Sequence, residues 1–285
     1  MEFLLALIVL TLIKATPIIY AALGGVISER SGVINIGLEG MMAAGAFTAV
    51  LVTYATGQPL LGVLAGVLAG AFAGLILGVA ATRFKVDQIV AGMGINLIFA
   101  GGAAYGLVLV FNQPGASKQV AALGGNYWVL VLLAFALALL LHWVLMKTPW
   151  GLRIRACGEN PRAVTAAGVD PLALRTLAVT ISGALAGLGG VFLSIGELNL
   201  YSDGMTAGRG FIALAAVIFG RWNPLGATAA SVVFGLFEAL QYVLQGKIPW
   251  LPADAMQALP YIAALVALAG VTGKVRAPAS DGVPY

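Results

Sequence analysis

Residues 28–48 read SERSGVINIGLEGMMAAGAFT, and this stretch places polar and charged residues between two long apolar segments. Glu29, Asn35 and Glu39 all fall inside the window, together with several glycine and serine residues. Non-helical backbone at membrane depth is tolerated only where protein or water satisfies its N–H and C=O groups. The stretch therefore predicts a transmembrane helix that is broken, with residues 33–40 lining a cavity.

The composition assigns the whole chain to the membrane. Hydrophobic residues make up 61% of its 285 residues and charged residues only 9%, whereas soluble globular domains carry about 25% charged residues. Apolar runs of about 20 residues, long enough to cross a bilayer as a helix, recur along its length. The sequence predicts an all-α polytopic membrane protein with about nine transmembrane segments: 3–26, 33–56, 59–82, 88–111, 127–146, 174–197, 204–220, 225–245 and 256–272.

The basic residues in the connecting loops orient the chain in the membrane. One set of alternate loops holds Arg30, Arg83, Lys85, Lys147, Arg153, Arg155, Arg162, Arg175, Arg221, Lys274 and Arg276, and the other holds Lys118, Arg209 and Lys247. Because cytoplasmic loops carry the excess of Lys and Arg, we expect the N-terminus outside and the C-terminus in the cytoplasm. The basic residues are scattered over several loops, so the net charge of +4 reflects topology and nucleic-acid binding is not expected.

The two halves of the chain resemble each other at an offset of 165 residues. The offset aligns LGGV at 23–26 with LGGV at 188–191, and Pro-Leu at 59–60 with Pro-Leu at 224–225. It spans an odd number of segments, so paired segments run in opposite directions, and such inverted repeats are common in transporters. The polar stretches 33–45 and 198–210 then occupy matching places in two inverted-topology halves. A Gly/Ala-rich bundle with accidental self-similarity is the alternative.

This repeat divides the chain into four parts. The first transmembrane half covers 1–146 and the second covers 174–272. A cytoplasmic loop at 147–173 joins the halves, and residues 273–285 form a cytoplasmic tail.

Ionisable residues inside predicted spans are functional candidates, because placing them in lipid is costly. Lys14 and Glu238 lie deepest, and each could form a structural ion pair or buried hydrogen bond, or face a pathway. We expect Glu39 to hold the broken helix by accepting hydrogen bonds, and His142 to be an interfacial or packed histidine rather than a proton relay. The predicted translocation pathway includes Asn35, Glu39, Asn96, Phe211 and Glu238.

The longest basic loop, residues 147–175, predicts a short helix at the cytoplasmic surface. Asn160 suits the N-cap, Pro161 the first helical position, and Gly168 a left-handed end. About two turns of helix would be unstable alone, and the exposed apolar residues of this helix are small. These properties favour docking into a groove of a partner, and a plain amphipathic connector is the alternative.

Three stretches resemble the signature sequences of one family: SERSGVINIGLEGMMAAGAF at 28–47, GENPRAVTAAGVDP at 158–171 and GRGFIALAAVIFGRWNPLGA at 208–227. They are similar to permease subunits of binding-protein-dependent ABC importers of the ribose-permease-like family, and SGVINIGLEG looks most like its nucleoside and simple-sugar branch. The resemblance implies a helical permease in the cytoplasmic (inner) membrane of a prokaryote that translocates nucleosides. A simple sugar of the ribose type is the alternative substrate.

The resemblance also implies the partners. These are a cytoplasmic ABC ATPase that binds the ATP, a second permease subunit that is a different chain, and an external substrate-binding protein. The residues on which the ATPase is expected to dock are Gly158, Glu159, Asn160, Pro161, Arg162, Ala163 and Gly168.

The residues themselves point away from an enzyme. GVTGKV at 270–275 lacks both the glycine spacing and the Ser or Thr of a phosphate-binding loop. One histidine and one cysteine leave no Ser-His-Asp set or Cys/His metal cluster, so we expect no catalytic residue, metal or cofactor on this chain. A secondary transporter driven by a proton or sodium gradient, with Glu39 and Glu238 as coupling residues, is the competing hypothesis. A channel or a structural membrane protein is the third.

Overall fold

The computed structural model describes residues 2–123, 127–244, 262 and 276–285. These residues form ten α-helices and one π-helix, and their only strand-like pairing is an isolated bridge between Ala116 and Ser202. The α-helices are α1 Glu2–Arg30, α2 Leu38–Thr56, α3 Pro59–Thr82, α4 Gln88–Phe111, α5 Tyr127–Lys147, α6 Pro149–Glu159, α7 Pro161–Ala166, α8 Pro171–Val191, α9 Arg209–Phe219 and α10 Pro224–Leu244. The π-helix Phe192–Leu198 continues α8 directly.

The prediction of an all-helical membrane protein is confirmed. Within the described residues, seven helical segments are long and apolar enough to cross a membrane, and α9 is a shorter apolar helix. Eight of the nine predicted segments coincide with helices, although α2 begins at Leu38 rather than at position 33. The ninth, 256–272, lies outside the described residues, and the four-part division of the chain stays a prediction.

The crossing of α1 and α8 lies at the centre of the fold, where the two LGGV blocks meet. A Cβ atom on Gly24 would lie 2.6 Å from the carbonyl oxygen of Ser182, and one on Gly189 would lie 2.9 Å from that of Pro17. The two contacts correspond under the 165-residue offset, which aligns Gly24 with Gly189 and Pro17 with Ser182. The most extensively packed helix pairs, α3 with α8 and α10 with α1, are related by the same offset. The packing thus follows the inverted repeat that the sequence predicts.

Glycines on α3 and α8 allow these two helices to approach at backbone distance. A Cβ atom on Gly70 would collide with the carbonyl oxygen of Gly183 and would lie 2.6 Å from the Cα of Gly187. A Cβ atom on Gly74 would lie 2.5 Å from the carbonyl oxygen of Val179. Small residues four positions apart are the usual device for such close packing in lipid, so the high glycine content serves helix association.

The connection between α5 and α8 folds into α6 and α7. The side chains of Thr148, Asn160 and Asp170 accept hydrogen bonds from the first backbone amides of α6, α7 and α8, and a proline follows each of them. This pairing of an N-cap with proline is a strong helix start. The predicted helix of about two turns is therefore confirmed as α7, and Gly168 beyond it adopts a φ of +76°.

Candidate functional site

The starts of α2 and α9 meet inside the protein, and Glu39 joins them. Its Oε1 accepts a hydrogen bond of 2.8 Å from the Gly208 amide, and its Oε2 accepts one of 2.7 Å from the Gly210 amide. A Cβ atom on Gly210 would collide with the Glu39 backbone, so only glycine permits this approach. The predicted role of Glu39 in accepting hydrogen bonds at the break is confirmed, and its partner is the matching stretch of the other half.

The non-helical residues that precede α2 are held by side chains of α4. Asn96 Oδ1 accepts from the Gly40 amide at 2.7 Å, and Asn96 Nδ2 donates to the Ile36 carbonyl oxygen at 3.0 Å. Gln88 Oε1 accepts from the Ile34 amide at 2.7 Å. Asn96 lies about 12 Å along α4 from Gln88, at 1.5 Å per residue. The unwound backbone is thus satisfied by protein at depth, as a membrane interior demands.

Asn35 lies in the same unwound stretch and faces α8. Its side chain is fully buried, and Nδ2 donates to the Ser182 hydroxyl at 2.8 Å. Its Oδ1 is buried without a hydrogen-bond partner among the described residues. The side chain therefore joins the break in the first half to the central helix of the second half.

Two ion pairs join helices of the described structure. Lys14 pairs with Glu197 of the π-helix, and Arg209, the first residue of α9, pairs with Glu238 of α10. Lys14 Nζ also lies 4.4 Å from the centre of the Tyr242 ring. The sequence left an ion pair and a pathway role open for Lys14 and Glu238, and the structure gives each of them an ionic partner.

Sequence reasoning did not assign Glu197 and Arg209 as those partners. Both were visible as charges at the edges of predicted spans. Their pairing depends on which helices become neighbours, and sequence spacing does not reveal that. His142 is partly buried, with Nδ1 3.2 Å from Asn223 Oδ1, which agrees with the packed histidine that we expected.

The five pathway candidates converge on the two helix starts. Asn35 precedes α2, Glu39 lies in its first turn, and Asn96 binds that turn. Phe211 lies in the first turn of α9 with 43% of its surface exposed, and Glu238 is tied to that turn through Arg209. Of the five, only Phe211 is on an open surface of the described structure. That they line a pathway stays a prediction.

The seven residues expected to dock a partner divide into two groups. Gly158 and Pro161 are buried, and a Cβ atom on Gly158 would collide with the Arg30 carbonyl oxygen. The other five are exposed: Glu159, Asn160, Arg162, Ala163 and Gly168. The loop is therefore anchored on the C-terminal end of α1, and most residues of α7 are exposed. Among the described residues, no group of three or more His, Cys, Asp or Glu side chains could hold a metal ion.

The protein-family model described as "Branched-chain amino acid transport system / permease component" matches residues 7–269. The guanosine ABC transporter permease protein NupQ of Bacillus subtilis is 38% identical, over 96% of this chain and 94% of NupQ. The nucleoside ABC transporter permease protein NupC of Lactococcus lactis has the same identity and coverage. A second Bacillus subtilis guanosine permease protein, NupP, is 26% identical over 93% of this chain and 83% of its own length.

A solved inward-facing structure assigned to a metal-chelate type ABC transporter has a similar fold. Its TM-score is 0.54 and its sequence identity is 18%, over 92% of this chain and 86% of that one. At this identity the likeness concerns the fold alone. It agrees with the all-helical architecture of the described residues.

Proposed function

Since the chain belongs to the branched-chain amino acid transport system permease family, we propose that it is the membrane-spanning subunit of an ABC importer for nucleosides. The observation that carries this proposal is the 38% identity to guanosine and nucleoside permeases along nearly the whole chain. The family description names a branched-chain amino acid transport system, so the substrate proposal rests on the relatives and not on that description. The chain translocates the solute, and a separate subunit binds and hydrolyses ATP.

The geometry supports alternating access built from two inverted halves. The break before α2 and the break before α9 meet through Glu39, so a relative movement of the halves changes the hydrogen bonds at this point. Exposed Phe211 beside the junction offers a ring on which a nucleobase could stack. We propose that the solute passes the surface around Phe211 while the buried polar residues hold the two helix starts.

The proposed partners follow from the same assignment. A cytoplasmic ATPase docks on the exposed face of α7, and an external binding protein delivers the nucleoside. The second permease is a different chain, as suggested by the presence of both NupQ and NupP among the guanosine permease proteins of Bacillus subtilis. The C-terminal residues 276–285 contact the α6–α7 region, which supports a C-terminus on the cytoplasmic side.

Uptake measurements test the proposal directly. Labelled guanosine, uridine and ribose are given to cells with and without this chain, before and after ATP depletion and after addition of a protonophore. We expect selective loss of ATP-dependent nucleoside uptake in cells that lack the chain. Loss of ribose uptake alone would move the substrate to simple sugars. Uptake that survives ATP depletion and collapses with the protonophore would refute the ABC assignment.

A further inference from the structure

The C-terminal segment 276–285, which we call the tail, lies along the α6–α7 region. The Ser280 amide donates to the Gly158 carbonyl oxygen at 2.8 Å, and the Ser280 hydroxyl donates to the Glu159 carbonyl oxygen at 3.2 Å. Farther along, the Tyr285 hydroxyl lies 2.8 Å from the Thr165 hydroxyl of α7. The tail therefore contacts the end of α6 and the C-terminal end of α7.

A buried arginine fixes the tail to the membrane-spanning part. Arg175 of α8 is 2% exposed, and its guanidinium donates to three backbone carbonyls. They belong to Ser31 at 3.1 Å, Val283 at 2.9 Å and Ser280 at 3.4 Å. A planar group with five donors in fixed directions sets the position of all three acceptors. The tail is thus held in register with the chain that leads into the break before α2.

Close packing adds to this anchorage. Pro278 is buried, and Gly282 adopts a φ of +76° with its Cα against Ile34. A Cβ atom at Gly282 would lie 2.8 Å from Ile34 Cδ1. One side of the tail is therefore shaped to the unwound stretch before α2.

The other side of the tail is open. Val283 is 53% exposed, and Pro284 beside it is also exposed. The exposed residues of α7 are Arg162, Ala163, Thr165 and Ala166, and exposed Ala167 follows them. Because the Tyr285 hydroxyl lies within hydrogen-bond distance of the Thr165 hydroxyl, the surface of α7 continues onto the tail. Apart from Arg162, the side chains that α7 contributes to this surface are short.

We propose that the tail forms part of the surface on which the ATPase docks, beside α7. The inference rests on the proposed ABC permease function and extends its docking site from one helix to two segments. The ATPase then contacts a segment that shares Arg175 as a hydrogen-bond donor with Ser31, just before the break that precedes α2. Closure of the ATPase would move α7 and the tail together.

Photo-crosslinking in membranes tests the proposal on the assembled importer. Benzoylphenylalanine is placed at Val283, at Ala163 of α7, or at exposed Gln113 on the opposite side of the membrane. We expect ATPase adducts from positions 283 and 163 and none from 113. Adducts from 163 without any from 283 would overturn the role of the tail and leave the proposed function intact. Absence of adducts from both would overturn the proposed docking helix as well.

The affinity of the purified permease for the ATPase provides a second test that does not depend on crosslinking efficiency. Val283→Asp places a charge on the exposed side of the tail, and Ala122→Asp places the same charge on an exposed outer position as the matched control. Substitution of an energetically important interface residue lowers the binding affinity by at least about fivefold. We expect that loss for Val283→Asp, with unchanged thermal unfolding, and none for the control. Equal affinity of both variants would overturn the proposal.

Discussion

Replacing Glu39 by glutamine tests whether the carboxylate holds the two breaks together. Both carboxylate oxygens accept from backbone amides, those of Gly208 and Gly210. Glutamine keeps one acceptor and presents an NH₂ group to the other amide, so one hydrogen bond is lost and two donors face each other. The negative charge near the start of α9, which the helix dipole stabilises, is lost as well.

The expected cost can be worked out from these changes. A hydrogen bond to a charged group contributes about 1.5–3 kcal/mol, and a buried unpaired donor costs about 1–3 kcal/mol. The charge at the helix start contributes roughly 0.3–1 kcal/mol. These effects overlap, and Glu39 is only partly buried. We therefore expect Glu39→Gln to lower the free energy of unfolding by about 2–4 kcal/mol.

The assay is equilibrium unfolding of the purified permease in mixed micelles, combined with ATP-driven guanosine uptake. Asp203→Asn is the matched control, because it removes an exposed carboxylate from the turn that precedes α9 and contains the Glu39 partner Gly208. We expect the control to unfold like the wild type, and Glu39→Gln to lose both stability and transport. A Glu39→Gln protein with wild-type stability and full uptake would refute the reasoning that the carboxylate holds the break.

Three further predictions concern packing, charge and pH. Gly70→Ala is expected to destabilise the fold by about 1–3 kcal/mol, since its Cβ meets backbone of α8. Gly101→Ala meets no atom within 4 Å and is expected to unfold like the wild type. Glu238→Leu leaves Arg209 buried without its carboxylate and is expected to cost about 3–5 kcal/mol, most of which the added Arg209→Met recovers in a double-mutant cycle. Burial raises the pKa of Asp281 to about 7, although Arg175 opposes the shift. The attachment of the tail to the α6–α7 region is therefore strongest when Asp281 is protonated, and it weakens as pH rises toward 7. A spin label at Pro284 would report this weakening as increasing mobility. Asp281→Asn is expected to abolish this pH dependence.

The helices and the correspondence of the two halves could be predicted, because apolar length marks a span and the LGGV blocks mark matching positions. That these blocks also meet where α1 and α8 cross, through Gly24 and Gly189, is seen only in the structure. The start of α2 at Leu38 was harder to predict, because the preceding residues are held by Asn96 and Gln88 of another helix. The π-helix at the end of α8 leaves no periodic signal in its seven residues.

The partners of the polar residues were beyond sequence reasoning for a related reason. Asn35 was identified as a polar residue in the break, yet its contact with Ser182 depends on how α8 crosses the first half. Arg175 was counted only as one basic loop residue, whereas it is buried and binds three carbonyls. A charge at the very end of a predicted span gives no hint of burial when its acceptors are backbone atoms distant in the chain.

The position of Glu39 also bears on the class of solute. The starts of α2 and α9 meet, and each helix start carries a partial positive charge, so the two ends repel each other. In transporters with broken helices such ends commonly face anionic groups of the substrate. Here the Glu39 carboxylate, placed in the first turn of α2 and bound to the amides of Gly208 and Gly210, takes the place of that anion. A phosphate would meet an occupied site and a like charge, whereas an uncharged nucleoside would not. We therefore propose that, where the solute passes this junction, the contact that stabilises the break also favours a neutral solute over its phosphorylated form.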